Sequence, residues 1–155
     1  KNANIETIDL SKDHEIFTNS YNRFNKVDKF IEDRDKIISM EKRIFFRELN
    51  SLRLYDYQKK YDLIWIDGAH GYPVACIDII NSLKLINSNG MIMCDDVFIN
   101  KIESDKIYKS TASFETLEEL KRENIIDYEL IYKRLDIENN FDITKRKFVA
   151  IVTKL

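Results

Sequence analysis

The chain has 155 residues, 44% of them apolar, which is the size of one domain with material for a real core. Its 25 basic residues face 27 acidic ones, a net charge of −2, and this argues against a protein whose main work is neutralising a phosphate backbone. No apolar run approaches the roughly 20 residues of a membrane span, and no signal peptide is visible. Cys76 and Cys94 both lie in apolar runs, which argues against a disulfide framework and for a reducing, cytoplasmic compartment. The 3 glycines and the single proline all fall between Gly68 and Gly90. The chain opens on Lys1 and runs almost at once into a strand-like segment, so the expectation is a piece of a longer protein.

Asn4 to Leu10 reads as a short strand ending in an acid, Asp9. Ser11 is a helix N-cap candidate, and Ile16, Phe17, Phe24, Val27, Phe30 and Ile31 follow at helical spacing, in one helix or two, to about Met40. Arg43 to Arg47 reads as a strand with Glu48 to Ser51 as its exit loop. Tyr61 to Asp67 is nearly continuously apolar, the mark of a parallel strand covered on both faces, with Trp65 in the core. Pro73 suits the first turn of a helix running to about Ile86, with Cys76, Ile79, Ile80, Leu83 and Ile86 on one face. Asn87 to Gly90 ends that helix, and Met91 to Asp95 is a second buried strand. Phe114 to Asn124 reads as an amphipathic helix capped by Ser113 or Thr116, the latter at capping-box spacing from Glu119. Tyr128 to Leu135 and Lys147 to Thr153 close the chain as two antiparallel strands. The sum is a single α/β domain over residues 1–155, its sheet parallel in the middle with an antiparallel C-terminal edge.

Ligands of open α/β sheets bind beyond the carboxyl ends of the strands. Three such ends carry acids here: Asp9, Asp67, and the pair Asp95–Asp96. His70 lies three residues past Asp67, over the same crevice. Adjacent carboxylates at Asp95 and Asp96 repel unless a cation or a hydrogen-bonding ligand compensates them. Together with Asp67 and water they make a hard oxygen cage suited to Mg2+, Ca2+ or Mn2+. Each part also has a plain reading: an acid after a strand caps helices, and a paired Asp in a loop is ordinarily solvated.

The run from Tyr61 to His70 (YDLIWIDGAH), a helix carrying Asp78, and then Asn89 to Asp96 (NGMIMCDD) resemble the fourth and fifth strands of class I S-adenosylmethionine-dependent methyltransferases. The nearest likeness is to small O-methyltransferases, macrocin-type sugar enzymes among them, with catechol-type enzymes sharing the plan more distantly. The resemblance implies a Rossmann-like sheet, S-adenosylmethionine as cofactor, and transfer to a hydroxyl of a sugar or other small molecule. It places Asp9 at the cofactor's ribose hydroxyls and Asn50 and Ser51 at its adenine, although those two also read as a plain turn. Asp67 and His70 fall at the catalytic positions, Asp67 also lying on the cofactor side. Asp67, Asp95 and Asp96 fall where metal-dependent members hold a divalent cation beside the acceptor oxygen.

The departures point the other way. The family's glycine-rich loop after its first strand has no counterpart, since no G-x-G occurs in the chain. In that family the first strand lies between the second and the fourth, so Tyr61 to Asp67 lacks one neighbour. The expectation is that something fills the slot: upstream residues, a strand from another copy in a homo-oligomer, or a rearranged Asn4 to Leu10. A bare edge would count against the inferred order, and direct pairing with Ile5 to Asp9 would close the cofactor cleft. Two rival functions follow, a non-catalytic Rossmann-like domain kept for binding or assembly, and a nucleic-acid methyltransferase, the latter disfavoured by the near-neutral charge. His14 reads as a surface residue, and Lys145 to Lys147 as a solvated strand edge.

Overall fold

The computed structural model of the chain describes residues 3–22, 27–100, 110–133 and 147–155. They form two compact units, residues 1–54 and 55–155. In the first, β1 (Ile5–Asp9) and β2 (Ile44–Glu48) pair in parallel, from Ile5 opposite Ile44 to Asp9 opposite Glu48. The stretch between them is two helices, α1 (Glu15–Asn22) and α2 (Val27–Met40). Ser11 accepts the Asp13 N–H in a turn, and the side chain nearest the helix start is His14, whose Nδ1 accepts the Ile16 N–H at 3.2 Å. An imidazole read as plain surface thus takes up one of the free donors of the first turn. Phe17 is buried, with its ring 6.2 Å from that of Phe30, and Arg34 of α2 lies 4.3 Å over the Phe46 ring of β2. Arg47 meets Glu6 across the strand pair at 2.6 Å.

The second unit carries the core. After a 3-10 helix at Ser51–Asp56, β3 (Tyr61–Ile66), α3 (Val74–Leu85), β4 (Ile86–Val97), α4 (Ala112–Arg122), β5 (Ile126–Tyr132) and β6 (Phe148–Lys154) follow in order. The sheet runs β3-β4-β6-β5, with β3 and β4 parallel and both β4–β6 and β6–β5 antiparallel. This is the α/β sheet with an antiparallel edge that the sequence implies. Ile79 and Leu83 of α3, Leu117 and Leu120 of α4, and Ile92, Cys94, Ile126, Ala150 and Val152 from the strands close into one cluster, with Ile64 and Ile66 packed against it. Cys76 and Cys94 are both free thiols, and burial, then the charge of Asp78, pushes that of Cys94 up to about 12.

Four expectations need correction. Trp65 is not core: it is 50% exposed and Leu63 57%, because strand alternation turns both, with Met91, away from the face that holds Ile64, Ile66 and Ile92. The uninterrupted apolar run therefore does not mean two covered faces. The slot beside β3 is bare among the described strands, β3 pairing only with β4 and β1 only with β2. That edge, unpaired among the described strands, counts against the inferred order, although the pairings within each sheet follow the order the resemblance implies and β3 is not paired with β1. Third, α4 starts two residues early: Ser110 Oγ accepts the Ala112 N–H, whereas the buried Thr116 hydroxyl donates to the Ala112 carbonyl inside the helix. Fourth, α3 ends at Leu85, its residue Ile80 is 46% exposed, and Asn87 to Gly90 is no connecting loop but a bulge within β4, where Tyr61 faces Ile86 and Leu63 already faces Met91. Gly90 is required there by close approach, not by a positive φ. A Cβ would stand 2.7 Å from Ile86 Cγ1 and 3.0 Å from the Asp62 carbonyl oxygen. Gly90→Ala is accordingly expected to lower the thermal midpoint by about 3–6 °C in a calorimetric scan, the cost of crowding Ile86 and the Asp62 carbonyl; an unchanged midpoint would show that the bulge yields freely.

Candidate functional site

The exits of β3 and β4 stand side by side, because Trp65 pairs with Met93 and Ile66 with Cys94 in parallel register. Asp67 therefore leaves its strand beside Asp95. Between Cys94 and Val97 the pairing to β6 slips by one residue, Cys94 facing Ala150 and Val97 facing Phe148. Asp96 absorbs the extra residue with a left-handed backbone, φ 52. Asp and Asn are among the few side chains that tolerate this region, and such bulges commonly re-aim side chains beside functional sites. Its consequence here is that consecutive residues, Asp95 and Asp96, are both buried and both turned to cationic neighbours, one of which they share.

Those neighbours are two lysines that the sequence did not single out as functional. Lys133, just past β5, reaches an oxygen of Asp95 and stands 2.6 Å from Asp96 Oδ1. Lys147, just before β6, holds Asp96 Oδ2 and lies 5.5 Å over the Phe98 ring. The Lys133 N–H donates to the Lys147 carbonyl, so the two lysines enter from adjacent strand ends. Lys147 is thus a member of the acid cluster and not a solvated edge residue, while Lys145 and Arg146 lie outside the described residues. What could have shown this is the hairpin register: once Tyr132 is opposite Phe148, Lys133 and Lys147 must face the exit of β4.

His70 sits on the loop between β3 and α3, its side chain largely buried, with Nε2 3.6 Å from Asp96 Oδ2. Asp78 of α3 lies beneath that loop, where a Cβ on Gly68 would meet its Oδ2 at 3.2 Å. Four of the sequence-predicted residues, Asp67, His70, Asp95 and Asp96, are therefore brought together. The other three belong to the first unit. Asp9 ends β1, half-buried, accepting the Leu10 N–H at 2.8 Å; burial raises its carboxyl above the usual range against the pull of that bond and of Arg34. Asn50 uses its side-chain oxygen to accept the Leu52 N–H at 3.0 Å, and with Ser51 it opens the 3-10 helix, as the plain-turn reading has it.

The electrostatics of the cluster close on themselves. Burial works against the charge of Asp96, yet the bonds and charges of Lys133 and Lys147 outweigh it and hold the carboxyl below its usual range. Burial also opposes the charge of Lys133, and Asp95 and Asp96 outweigh that in turn, raising it. Asp67 goes the other way: partial burial raises it first, and the negative Asp95 beside it raises it further. One oxygen of Asp95, Oδ1, is buried without a partner, and a protonated Asp67 offers a donor to Asp95.

This bears on the divalent cation implied by the sequence. Oxygen cages hold Mg2+ or Ca2+ through carboxylates free to turn toward the ion. Here the carboxylates are already matched by lysine ammonium groups, and no group of three or more acidic, histidine or cysteine side chains among the described residues is arranged to hold a metal. The residues do not fit the ion.

Residues 2–97 match the model of a family described as a methyltransferase domain. No curated protein matches the chain. Among solved structures it is similar to the O-methyltransferase from Bacillus cereus in complex with SAH (18% identity, TM-score 0.57, covering 97% of this chain and 63% of that one). It is also similar to the SAH-bound methyltransferase PaMTH1 from Podospora anserina (19%, TM-score 0.56, 99% and 61%). A rRNA methylase from Streptococcus thermophilus shares the fold as well (11%, TM-score 0.50, 98% and 74%). The chain spans less than two thirds of the length of the first two.

Two substitutions separate the charges. A group raised in the folded state, as Asp67 is, contributes stability that is complete below its unfolded value of 3.8 and lost as pH rises through the folded value. A lowered group, as Asp96 is, contributes stability present above 3.8 and lost as pH falls through its folded value. Near neutral pH, Asp67→Asn should therefore raise the thermal midpoint slightly, by about 1–2 °C. Asp96→Asn, which keeps a residue suited to the left-handed backbone, should lower it by about 4–8 °C by leaving Lys147 and Lys133 short of a partner. Equal signs in scans at neutral pH would contradict this charge assignment.

Proposed function

The chain belongs to the methyltransferase-domain family, and on that premise we propose that it serves S-adenosylmethionine-dependent transfer of a methyl group to a hydroxyl oxygen of a sugar or other small molecule. The observation that carries the reading is the convergence of Asp67, His70, Asp95 and Asp96 at adjacent exits of parallel strands, where α/β folds take their ligands. Asp9, at the exit of another parallel strand, offers a half-buried carboxylate that would accept the ribose hydroxyls of the cofactor. Both units would then be parts of one catalytic domain.

When bound, S-adenosylmethionine supplies a methyl group already activated as a sulfonium, so the protein's work is alignment and proton removal. Asp96 faces His70 Nε2, which leaves Nδ1 as the nitrogen to take the acceptor's hydroxyl proton. The left-handed bulge fixes where Asp96 points, and the lysines fix its charge. The divalent cation of the sequence reading has no part in this scheme. The near-neutral net charge favours a small acceptor over the rRNA that the Streptococcus thermophilus enzyme's name specifies. Two free thiols support a cytoplasmic setting. A second reading, a binding or assembly domain, draws on the absence of G-x-G and on the edge of β3 that no described strand pairs, which another copy of the chain could extend.

Two measurements decide between them. Calorimetric titration with S-adenosylmethionine should show binding that Asp9→Ala weakens about tenfold or more, the loss of charge-assisted hydrogen bonds. His70→Ala should leave that binding within about twofold while lowering turnover about 100-fold. No binding of the cofactor by the intact protein would sink the enzyme and favour the assembly domain.

A further inference from the structure

The acid cluster contains a group that lies outside the residues matched by the family model, the lysine pair supplied by the C-terminal hairpin. We propose that Lys133 and Lys147 are the built-in counter-ions of Asp95 and Asp96, taking the place of a divalent cation, so that this site works without metal. The inference rests on reading the cluster as the acceptor side of the site, but not on which acceptor is used.

The geometry supports it in three ways. Lys133 bridges Asp95 and Asp96 and supplies a positive charge to both carboxylates. Lys147 holds the remaining Asp96 oxygen, so both oxygens of that residue are in use. The bulge at Asp96 is what turns the two acids to a shared partner, Lys133, and the pairing of Tyr132 with Phe148 is what places the lysines there. A dication entering the cluster would have to displace these ammonium groups and stand beside them, with like charges a few ångströms apart in a partly buried site. Both lysines act through the carboxylates and are positioning residues: they hold Asp95 and Asp96 in place, and with them the orientation of His70.

Mn2+ titration of the full chain, read by electron paramagnetic resonance of the free ion, tests this without any need for methyl transfer. The wild-type protein should show no site that Asp95→Asn removes. The variant carrying Lys133→Met and Lys147→Met should gain one, at least about tenfold tighter than any wild-type binding and in the weak range of about 10⁻⁵–10⁻³ M expected of an unrefined carboxylate site. Adding Asp96→Asn to that variant should abolish it. A wild-type Mn2+ site lost in Asp95→Asn would overturn the proposal, and so would a folded double-lysine variant that gains none. Should that variant not fold, the wild-type comparison decides alone. Failure of cofactor binding would defeat the proposed function and leave this result standing, so the two are distinguishable.

Discussion

The ion pairs of Lys133 with Asp95 and Asp96, and of Lys147 with Asp96, are the interaction on which the acid cluster of the second unit depends. Two adjacent buried carboxylates and a left-handed non-glycine residue are each unfavourable alone, the backbone strain at about 1–3 kcal/mol. They persist because one device serves both. The bulge at Asp96 aims the acids at a common point, and the antiparallel hairpin delivers two ammonium groups to that point. The C-terminal strands are therefore more than an edge closing the sheet. They complete the charge balance of the strand exits that carry Asp67 and His70.

That arrangement also explains why neighbouring acids in one cluster behave in opposite ways. Asp96 is held low by two cations against its own burial, whereas burial, and then the charge of Asp95, raises Asp67. One carboxyl pushed up and one pulled down thus stand in the same cluster as an imidazole. The fold alone does not select an acceptor, since the same architecture occurs in an O-methyltransferase and in a rRNA methylase.

Much of this was legible in the sequence, for identifiable reasons. The strand-end acids could be found because a parallel strand's exit is marked by an apolar run stopping at a charge, as at Asp67 and Asp95. The two central strands, the closing helix and the two-strand edge were visible from period and length. The exposure of Trp65 was not, because a continuous apolar run looks the same whether one face or both are covered. The bulge at Asn87 to Gly90 was hidden because its composition is that of a turn. The role of Lys147 was hidden by its setting in a basic triplet, where a solvated edge is the ordinary outcome. Only the register of β5 on β6 reveals that it and Lys133 share a target.

The central claim is that ammonium groups, and not a metal ion, balance the acids at the exit of β4. A crystal structure grown in millimolar Mn2+, with data collected for anomalous scattering at the manganese edge, tests it most directly. The account predicts Lys133 Nζ bridging Asp95 and Asp96, Lys147 Nζ on Asp96, and no anomalous peak among the carboxylates. A peak bound by Asp67, Asp95 and Asp96, with both lysines turned away, would contradict it.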